Sequence, residues 1–279
     1  MHMKILKYIS LILIVVFALS CEEHEIEYNT TPIGDLAQFQ LHYFVPLTAN
    51  SSNYLYRVEI NDELYSNSDA PLSTYNAIPS GSVGRFFTVE PGTVNIKLYK
   101  GTAEELVYDH NTTLTTGKQN VFVYDFNEDP LVFDNGYPYV SNVTEDTDSI
   151  TYVKFYNFLF ETEGIPTDLK LQYQYIDSNT DELINIGTPV SFGETTGWQP
   201  VKITKTINNS SGYARVYYKI KVIDDDGNIV DDLQLFNSSS NYVSYSDYWT
   251  GYIGRRAHHI MAGFRSAQPK ASVRLFYGL

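Results

Sequence analysis

Apolar and polar side chains alternate along much of this 279-residue chain, and this alternation restricts the fold more than any other feature. In residues 93–100, for example, Val94, Ile96 and Leu98 occupy every second position. Successive side chains of a β-strand point to opposite faces, so a strand with one buried face needs this spacing. We find no long segment with the 3.6-residue period and the caps of an amphipathic helix. The sequence therefore predicts an all-β protein.

The predicted strands fall into two groups, divided internally by turn formers such as Asn61-Asp62, Pro91-Gly92 and Gly117-Lys118. The first group covers residues 39–45, 54–60, 86–89, 93–100 and 120–125. The second group covers residues 152–159, 169–177, 201–207, 214–223, 229–236, 259–264 and 272–277. Residues 135–148 lie between the groups and are polar and turn-prone, which indicates a linker. We therefore expect two antiparallel β-sandwich domains, residues 36–134 and 149–279.

The N-terminus has the pattern of an export signal. Lys4 and Lys7 precede an apolar run at residues 8–19, and small Ser20 stands before Cys21, the only cysteine in the chain. The apolar run is shorter than the roughly 20 residues that a spanning helix needs. The segment Ala18-Leu19-Ser20-Cys21 resembles the lipobox of bacterial lipoproteins, which implies a signal peptide at 1–20 and lipid on Cys21. The alternative is an ordinary secretory signal with a chance cysteine.

Acidic residues follow the predicted lipidation site. Glu22, Glu23 and Glu25 resemble the export signal of many Bacteroidetes lipoproteins, which implies a lipid-anchored position on the outer face of the outer membrane. Several acyl chains on Cys21 would anchor the chain stably, because each buried CH₂ contributes about 0.8 kcal/mol. Residues 21–35 contain little that could pack, so the same segment also fits a simple solvated tether.

Charge and cysteine content disfavour a nucleic-acid-binding protein and a fold that disulfides hold together. The chain has a net charge of -14, and loss of Lys4 and Lys7 with the leader makes it more acidic. Nucleic-acid phosphates are held by clustered Lys and Arg, so we expect no nucleic-acid partner. With Cys21 lipidated, packing alone must hold the fold together, because no second cysteine is available for a disulfide.

A family resemblance covers about residues 36–130. It rests on YLYRVEIND at 54–62, LSTY at 72–75, FFTVEPG at 86–92 and LTTGKQ at 114–119. This arrangement resembles the DUF4397 family, immunoglobulin-like β-sandwich modules of bacterial envelope proteins with no established activity. The resemblance implies immunoglobulin-like sandwiches and no catalytic group at the matching positions.

Motifs for catalysis or cofactors are few. The chain has no HExxH, no P-loop, no GxSxG and no paired cysteines, and we expect no enzyme activity and no cofactor. The run Asp224-Asp225-Asp226-Gly227-Asn228 offers oxygens to calcium, but Asp-Gly between strands favours a hairpin turn. His258 and His259 are neighbours on a predicted strand, so they point to opposite faces and cannot share one metal ion.

The most unusual segment is the aromatic and basic stretch at residues 242–259. We predict a candidate ligand-binding surface there, on a loop favoured by Gly251 and Gly254, because aromatic faces beside hydrogen-bond donors suit sugar rings. Packing in a sandwich core is the alternative, since aromatic residues are also enriched in strands. The candidate ligand-binding residues are Tyr248, Trp249, Tyr252, Arg255 and Arg256.

These features favour a non-catalytic cell-envelope lipoprotein that binds a glycan or another extracellular ligand. Two alternatives stay open. A fimbrial or adhesin-type subunit would pair strands with a protein partner and form polymer ladders in native membranes. A cryptic hydrolase would need a cluster of carboxylates, or of Ser and His, that only the tertiary structure can reveal.

Overall fold

The computed structural model describes residues 33–80, 84–134, 149–177, 180–203, 213–237 and 241–278. The predicted signal peptide, Cys21 with most of the tether, and the predicted linker at 135–148 lie outside these residues. Within the described ranges the chain is almost wholly β, which confirms the predicted class. The helical segments found there are two short 3₁₀ turns, Ile33–Asp35 and Ser51–Asn53.

The first half of the described chain forms two sheets. Its strands are β1 Ala37–Tyr43, β2 Leu55–Ile60, β3 Glu63–Ser66, β4 Asn76–Ile78, β5 Phe87–Val89, β6 Gly92–Lys100, β7 Glu105–Leu114, β8 Gly117–Val123 and β9 Leu131–Asp134. Sheet 1 has the order β4-β1-β8-β9, with β5 also paired to β1. Sheet 2 has the order β3-β2-β6-β7.

The second half forms two larger sheets and a hairpin. Its strands are β10 Ile150–Thr162, β11 Ile165–Pro166, β12 Lys170–Ile176, β13 Leu183–Val190, β14 Thr195–Lys202, β15 Tyr213–Ile223, β16 Ile229–Asp232, β17 Gln234–Phe236, β18 Tyr242–Ser244, β19 Ser246–Tyr252, β20 Arg256–Phe264 and β21 Ser272–Gly278. Sheet 3 has the order β11-β10-β20-β21, with β14 also on β10. Sheet 4 has the order β13-β12-β15-β16, with β19 also on β15, and β17 pairs with β18.

Local sequence accounts for many of these strands and turns. Val94, Ile96 and Leu98 of β6 are buried at every second position, as the alternation predicts. Asn61 and Asp62 both have positive φ, at 53° and 63°, and connect β2 to β3. Both residue types tolerate that conformation because their short side chains hydrogen-bond locally. One predicted strand, residues 229–236, is instead divided between β16 and β17, which belong to different sheets.

Two apolar cores lie between pairs of sheets. The first core joins sheets 1 and 2 and contains Ala37, Phe39, Leu41, Tyr43, Val45, Leu55, Val58, Ile60, Leu72, Val94, Ile96, Leu98, Tyr108, Leu114, Val121 and Val123. The second core joins sheets 3 and 4 and is built around Phe155, Leu159, Tyr173, Ile220 and Trp249. Each half therefore has a sandwich-like arrangement of two sheets over one core.

The two halves repeat one pairing scheme. The first strand of each, β1 or β10, runs parallel to a late strand, β8 or β20, and that strand pairs antiparallel with the last strand, β9 or β21. The other strand pairs are antiparallel. Parallel neighbours are joined through long chain connections, which local sequence patterns do not reveal.

A third group of buried side chains connects the two halves, and we call it the interface cluster. It contains Phe44, Tyr75, Ala77 and Phe122 from the first half, and Tyr156, Phe158, Ile260, Ala262 and Phe276 from the second. The Phe122 and Phe158 rings stack with centroids 4.9 Å apart. All nine residues of β20 are buried, because the second core covers one face and the interface cluster the other.

Candidate functional site

The predicted aromatic surface at residues 242–259 consists mainly of strands, and a short turn at 253–255, which includes Gly254, joins β19 to β20. β19 continues through Gly251 to Tyr252 and pairs with β15. Trp249 is only 5 % exposed and belongs to the second core, with its ring 4.8 Å from that of His259. Gly251 is also buried, and a Cβ there would lie 3.0 Å from Thr151 Cγ2. The prediction of Trp249 as a stacking platform is therefore wrong, because strand alternation turns its ring inward.

The other predicted ligand-binding residues do not form one surface. Tyr248, 49 % exposed, lies beside the Arg215 guanidinium, whose carbon is 4.3 Å from the ring centroid. Arg255 is exposed and stacks on Tyr252 at 4.4 Å. Arg256 is buried at the start of β20, which corrects its predicted role as an accessible donor. Tyr252 and Arg255 thus lie together, while Tyr248 and Arg256 lie elsewhere.

The adjacent histidines lie on opposite faces of β20, as predicted. His258 Nδ1 is 2.9 Å from the Tyr156 hydroxyl, in the interface cluster. His259 Nδ1 is 2.9 Å from the Tyr173 hydroxyl, in the second core. A third buried histidine, His42, contacts Asn120 through Nε2 at 3.2 Å. Burial lowers the pKa of all three imidazoles, so each is neutral near pH 7.

The acidic run at 224–228 forms the predicted hairpin turn between β15 and β16. The Asn228 backbone N–H donates to Asp224 Oδ1 at 2.7 Å, and the Gly227 N–H donates to the Asp224 carbonyl at 3.1 Å. Gly227 has a φ of 86°, which favours glycine. Across the described ranges, no group of three or more His, Cys, Asp or Glu side chains is arranged to hold a metal ion.

A cleft of about 470 Å³ lies where the two halves meet, and we call it the junction cleft. One wall comes from the segment before β4 and the start of that strand, and the other from β21. Both β4 and β21 are at the ends of their sheets in the strand order. The lining residues are Ala49, Tyr54, Ser73, Thr74, Tyr75, Asn76, Ser80, Arg274, Leu275, Phe276 and Tyr277.

Three residues that line this cleft each carry a buried polar atom with no hydrogen-bond partner within the described protein. These atoms are Thr74 Oγ1, Tyr75 Oη and Arg274 Nε. Thr74 and Tyr75 are only 4 % and 7 % exposed. A buried polar group without a partner costs about 1 to 3 kcal/mol, so such groups are rare in folded proteins. The residues that carry these three atoms line one cleft, while the atoms themselves are buried beneath its surface.

The backbone at Tyr75 is also unusual. Its φ is 59°, in the left-handed region that a bulky residue rarely enters. Such conformations cost of order 1 to 3 kcal/mol and concentrate at functional sites. The conformation places the ring edge-to-face with Phe44, with centroids 5.8 Å apart. Burial raises the Tyr75 pKa to about 12, although nearby Arg274 lowers it, so the hydroxyl keeps its proton and can donate or accept.

Arg274 supplies the positive charge of the junction cleft. Its guanidinium carbon lies 4.7 Å from the centroid of the Tyr75 ring, a cation–π distance. No ion pair joins it to any carboxylate in the described ranges. The cleft therefore combines aromatic walls, hydroxyl groups and one cation, which suits a polar ligand with a flat apolar face.

Sequence reasoning did not find this cleft. Thr74 and Tyr75 belong to the LSTY segment of the family resemblance, which implies a fold and no catalytic group. Arg274 lies within a predicted strand near the other end of the chain. A tyrosine between a threonine and an asparagine gives no local sign of positive φ. The pairing of Tyr75 with Arg274 depends on contacts between the two halves.

Comparisons with known proteins identify no family. No family model and no curated protein matches the chain. No helix among the described residues has the length and apolar character to cross a membrane. One solved structure that the chain resembles in part is a leucine-rich repeat protein from Bacteroides thetaiotaomicron VPI-5482, with 12 % identity and a TM-score of 0.21. The match covers 82 % of this chain but only 26 % of that protein.

Proposed function

We propose that this protein is a non-catalytic, surface-exposed lipoprotein of the outer membrane that binds an extracellular glycan in the junction cleft. The observation that carries the proposal is the lining of one cleft, which combines aromatic side chains with hydroxyl, amide and guanidinium groups. Glycans offer many hydroxyl groups together with apolar ring faces. A cleft that supplies both aromatic rings and hydrogen-bonding groups matches both properties.

The surroundings of the buried histidines favour binding over hydrolysis. An imidazole that acts as a general base must reach a nucleophile, a water molecule or the substrate. His42, His258 and His259 instead contact an asparagine and two tyrosines inside the protein. Burial is the main cause of their lowered pKa values, whereas a neighbouring carboxylate would raise the pKa of an imidazole. These imidazoles therefore serve packing and hydrogen bonding.

Filling the cleft tests the binding proposal. Ala49 is exposed and lines the cleft, whereas the neighbouring Thr48 is exposed and does not line it. Ala49→Trp should abolish binding on a glycan array, because the indole occupies the space that a sugar ring would take. Thr48→Trp is the matched control and should bind like the unchanged protein. Equal glycan binding by both variants, with equal melting temperatures, would rule out the junction cleft as the binding site.

The anchor forms a separate part of the proposal, because Cys21 lies outside the described residues. The motivating pattern is the short apolar leader that ends at Ser20-Cys21. Cys21→Ala should prevent incorporation of labelled fatty acid and release the protein from membranes. Thr30→Ala, in the same predicted tether, should leave labelling intact. Continued labelling of Cys21→Ala would contradict the lipoprotein proposal.

A further inference from the structure

We propose that the ligand of the junction cleft is an acidic saccharide whose carboxylate is bound by Arg274. This inference rests on the proposed function and goes further, because it specifies the charge of the ligand and the residue that recognises it. Arg274 is a cation with no ion-pair partner in the described ranges, in a chain with a net charge of -14.

Many other cations of this protein have acidic partners. Lys97 pairs with Asp62 at 2.6 Å, Lys170 with Asp225 at 2.8 Å, and Arg265 with Glu161 at 2.7 Å. Carboxylates outnumber cations in the sequence, with 33 Asp and Glu against 19 Lys and Arg. Arg274 differs from these cations because the side chain packed against its guanidinium is the Tyr75 ring and not a carboxylate. An incoming carboxylate would provide the missing counter-charge.

The lining of the cleft indicates how many charges the ligand carries. Arg274 is the single cation among the lining residues, and the lining contains no Asp or Glu that would repel an anion. One guanidinium balances one negative charge, so a singly charged group fits better than a phosphate monoester. The planar fork of arginine also matches a carboxylate through two parallel hydrogen bonds.

The contact with Tyr75 prepares Arg274 for this role. Stacking of the guanidinium over the Tyr75 ring at 4.7 Å restricts the side chain before a ligand arrives. Less rotamer entropy is then lost on binding. The partly exposed Ser73 and the exposed Asn76 line the same cleft and supply neutral hydrogen-bonding groups of the kind that pair with sugar hydroxyls. A uronic acid residue presents both a carboxylate and such hydroxyl groups.

Oligogalacturonate and its fully methyl-esterified form are a matched pair of probes, because they share one sugar skeleton and differ in charge. The full chain lacking only its leader should bind the acid form in calorimetry and bind the ester at least about tenfold more weakly. Arg274→Gln should weaken the binding of the acid form by a similar factor and leave the binding of the ester unchanged. Arg274→Lys keeps the charge but not the planar guanidinium. Its affinity for the acid form should lie between that of the unchanged protein and that of Arg274→Gln.

Arg215→Gln is the control, since Arg215 is exposed, carries the same charge, does not line the cleft and stacks on Tyr248, which does not line it either. It should bind the acid form like the unchanged protein, and melting curves should confirm that every variant is folded. Equal affinity for acid and ester, absence of binding to the acid, or full binding by folded Arg274→Gln would each overturn the inference. If neutral glycans bind and Ala49→Trp abolishes that binding, the proposed function stands while the acidic specificity fails.

Discussion

At the scale of single residues, the three buried histidines make the stability of the fold depend on pH. Burial lowers the pKa of His42 and His259 to about 3 and lowers that of His258 well below its ordinary value. The folded protein keeps all three neutral, whereas the unfolded chain protonates them near pH 6.5. Because the unfolded state binds more protons, the free energy of unfolding decreases as the pH falls below about 6.5.

We expect urea unfolding to detect this loss between about pH 7 and pH 5.5, above the range in which ordinary carboxylates titrate. Each histidine should contribute up to about 1.4 kcal/mol per pH unit at the acidic end. His259→Gln should reduce the slope of the unfolding free energy against pH by the equivalent of one proton. At pH 8 the histidines are neutral in both states, so the stability of this variant there gives the cost of the substitution itself. Lys154, with a pKa lowered to about 8 mainly by burial, titrates above this window. If the slope of unfolding free energy against pH were unchanged in His42→Gln, His258→Gln and His259→Gln, the buried histidines would not be its cause.

At the scale of elements, β19 shows that adjacent residues of one strand face opposite sides, one in the core and the other at the surface. Trp249 lies in the second core, and Tyr248 beside it is half exposed. We expect Trp249→Ala to lower the free energy of unfolding by about 3 to 5 kcal/mol, as for other large buried aromatic residues. Chemical denaturation gives the measurement.

Tyr248→Ala is the matched control on the same strand. It removes the contact with Arg215 but little burial, so the loss should be about 1 kcal/mol or less. A larger loss for Tyr248→Ala than for Trp249→Ala would mean that β19 faces the opposite way. The same pair of variants separates stability from glycan binding, because neither residue lines the junction cleft.

At the scale of the whole molecule, the interface cluster holds the two halves together. Its aromatic side chains are almost fully buried, and Phe122 and Phe158 stack across the halves. The division into domains at residues 135–148 stays a prediction, because those residues lie outside the described ranges. The cluster nevertheless implies that separated halves would expose a large apolar surface, which favours their association.

We expect the halves to stay together after a protease cuts the chain at a site introduced within residues 135–148. The two fragments should elute as one species in size-exclusion chromatography. Phe158→Asp should release them, because it places a charge inside the interface cluster. Leu64→Asp, at a position 57 % exposed in sheet 2, should leave them associated. Spontaneous separation of the unsubstituted fragments would show that the cluster contributes little to the association.

Local sequence alone determined the class of the fold and many of its strands and turns. The alternation in β6, the turn at Asn61-Asp62 and the hairpin at 224–228 each depend on neighbouring residues, and the structure has all three. The opposite orientations of His258 and His259 follow from the same period of two. These features could be predicted because a strand restricts its side chains within a few residues.

The tertiary structure decided what each buried face contacts. Alternation marks a face as apolar but does not say whether it meets the second sheet, as Trp249 does, or the other half of the chain, as Phe158 does. The parallel pairs β1–β8 and β10–β20 and the junction cleft join residues that are far apart in sequence. Tyr75 and Arg274 form a candidate site only because the two halves pack together, and no local pattern encodes that packing.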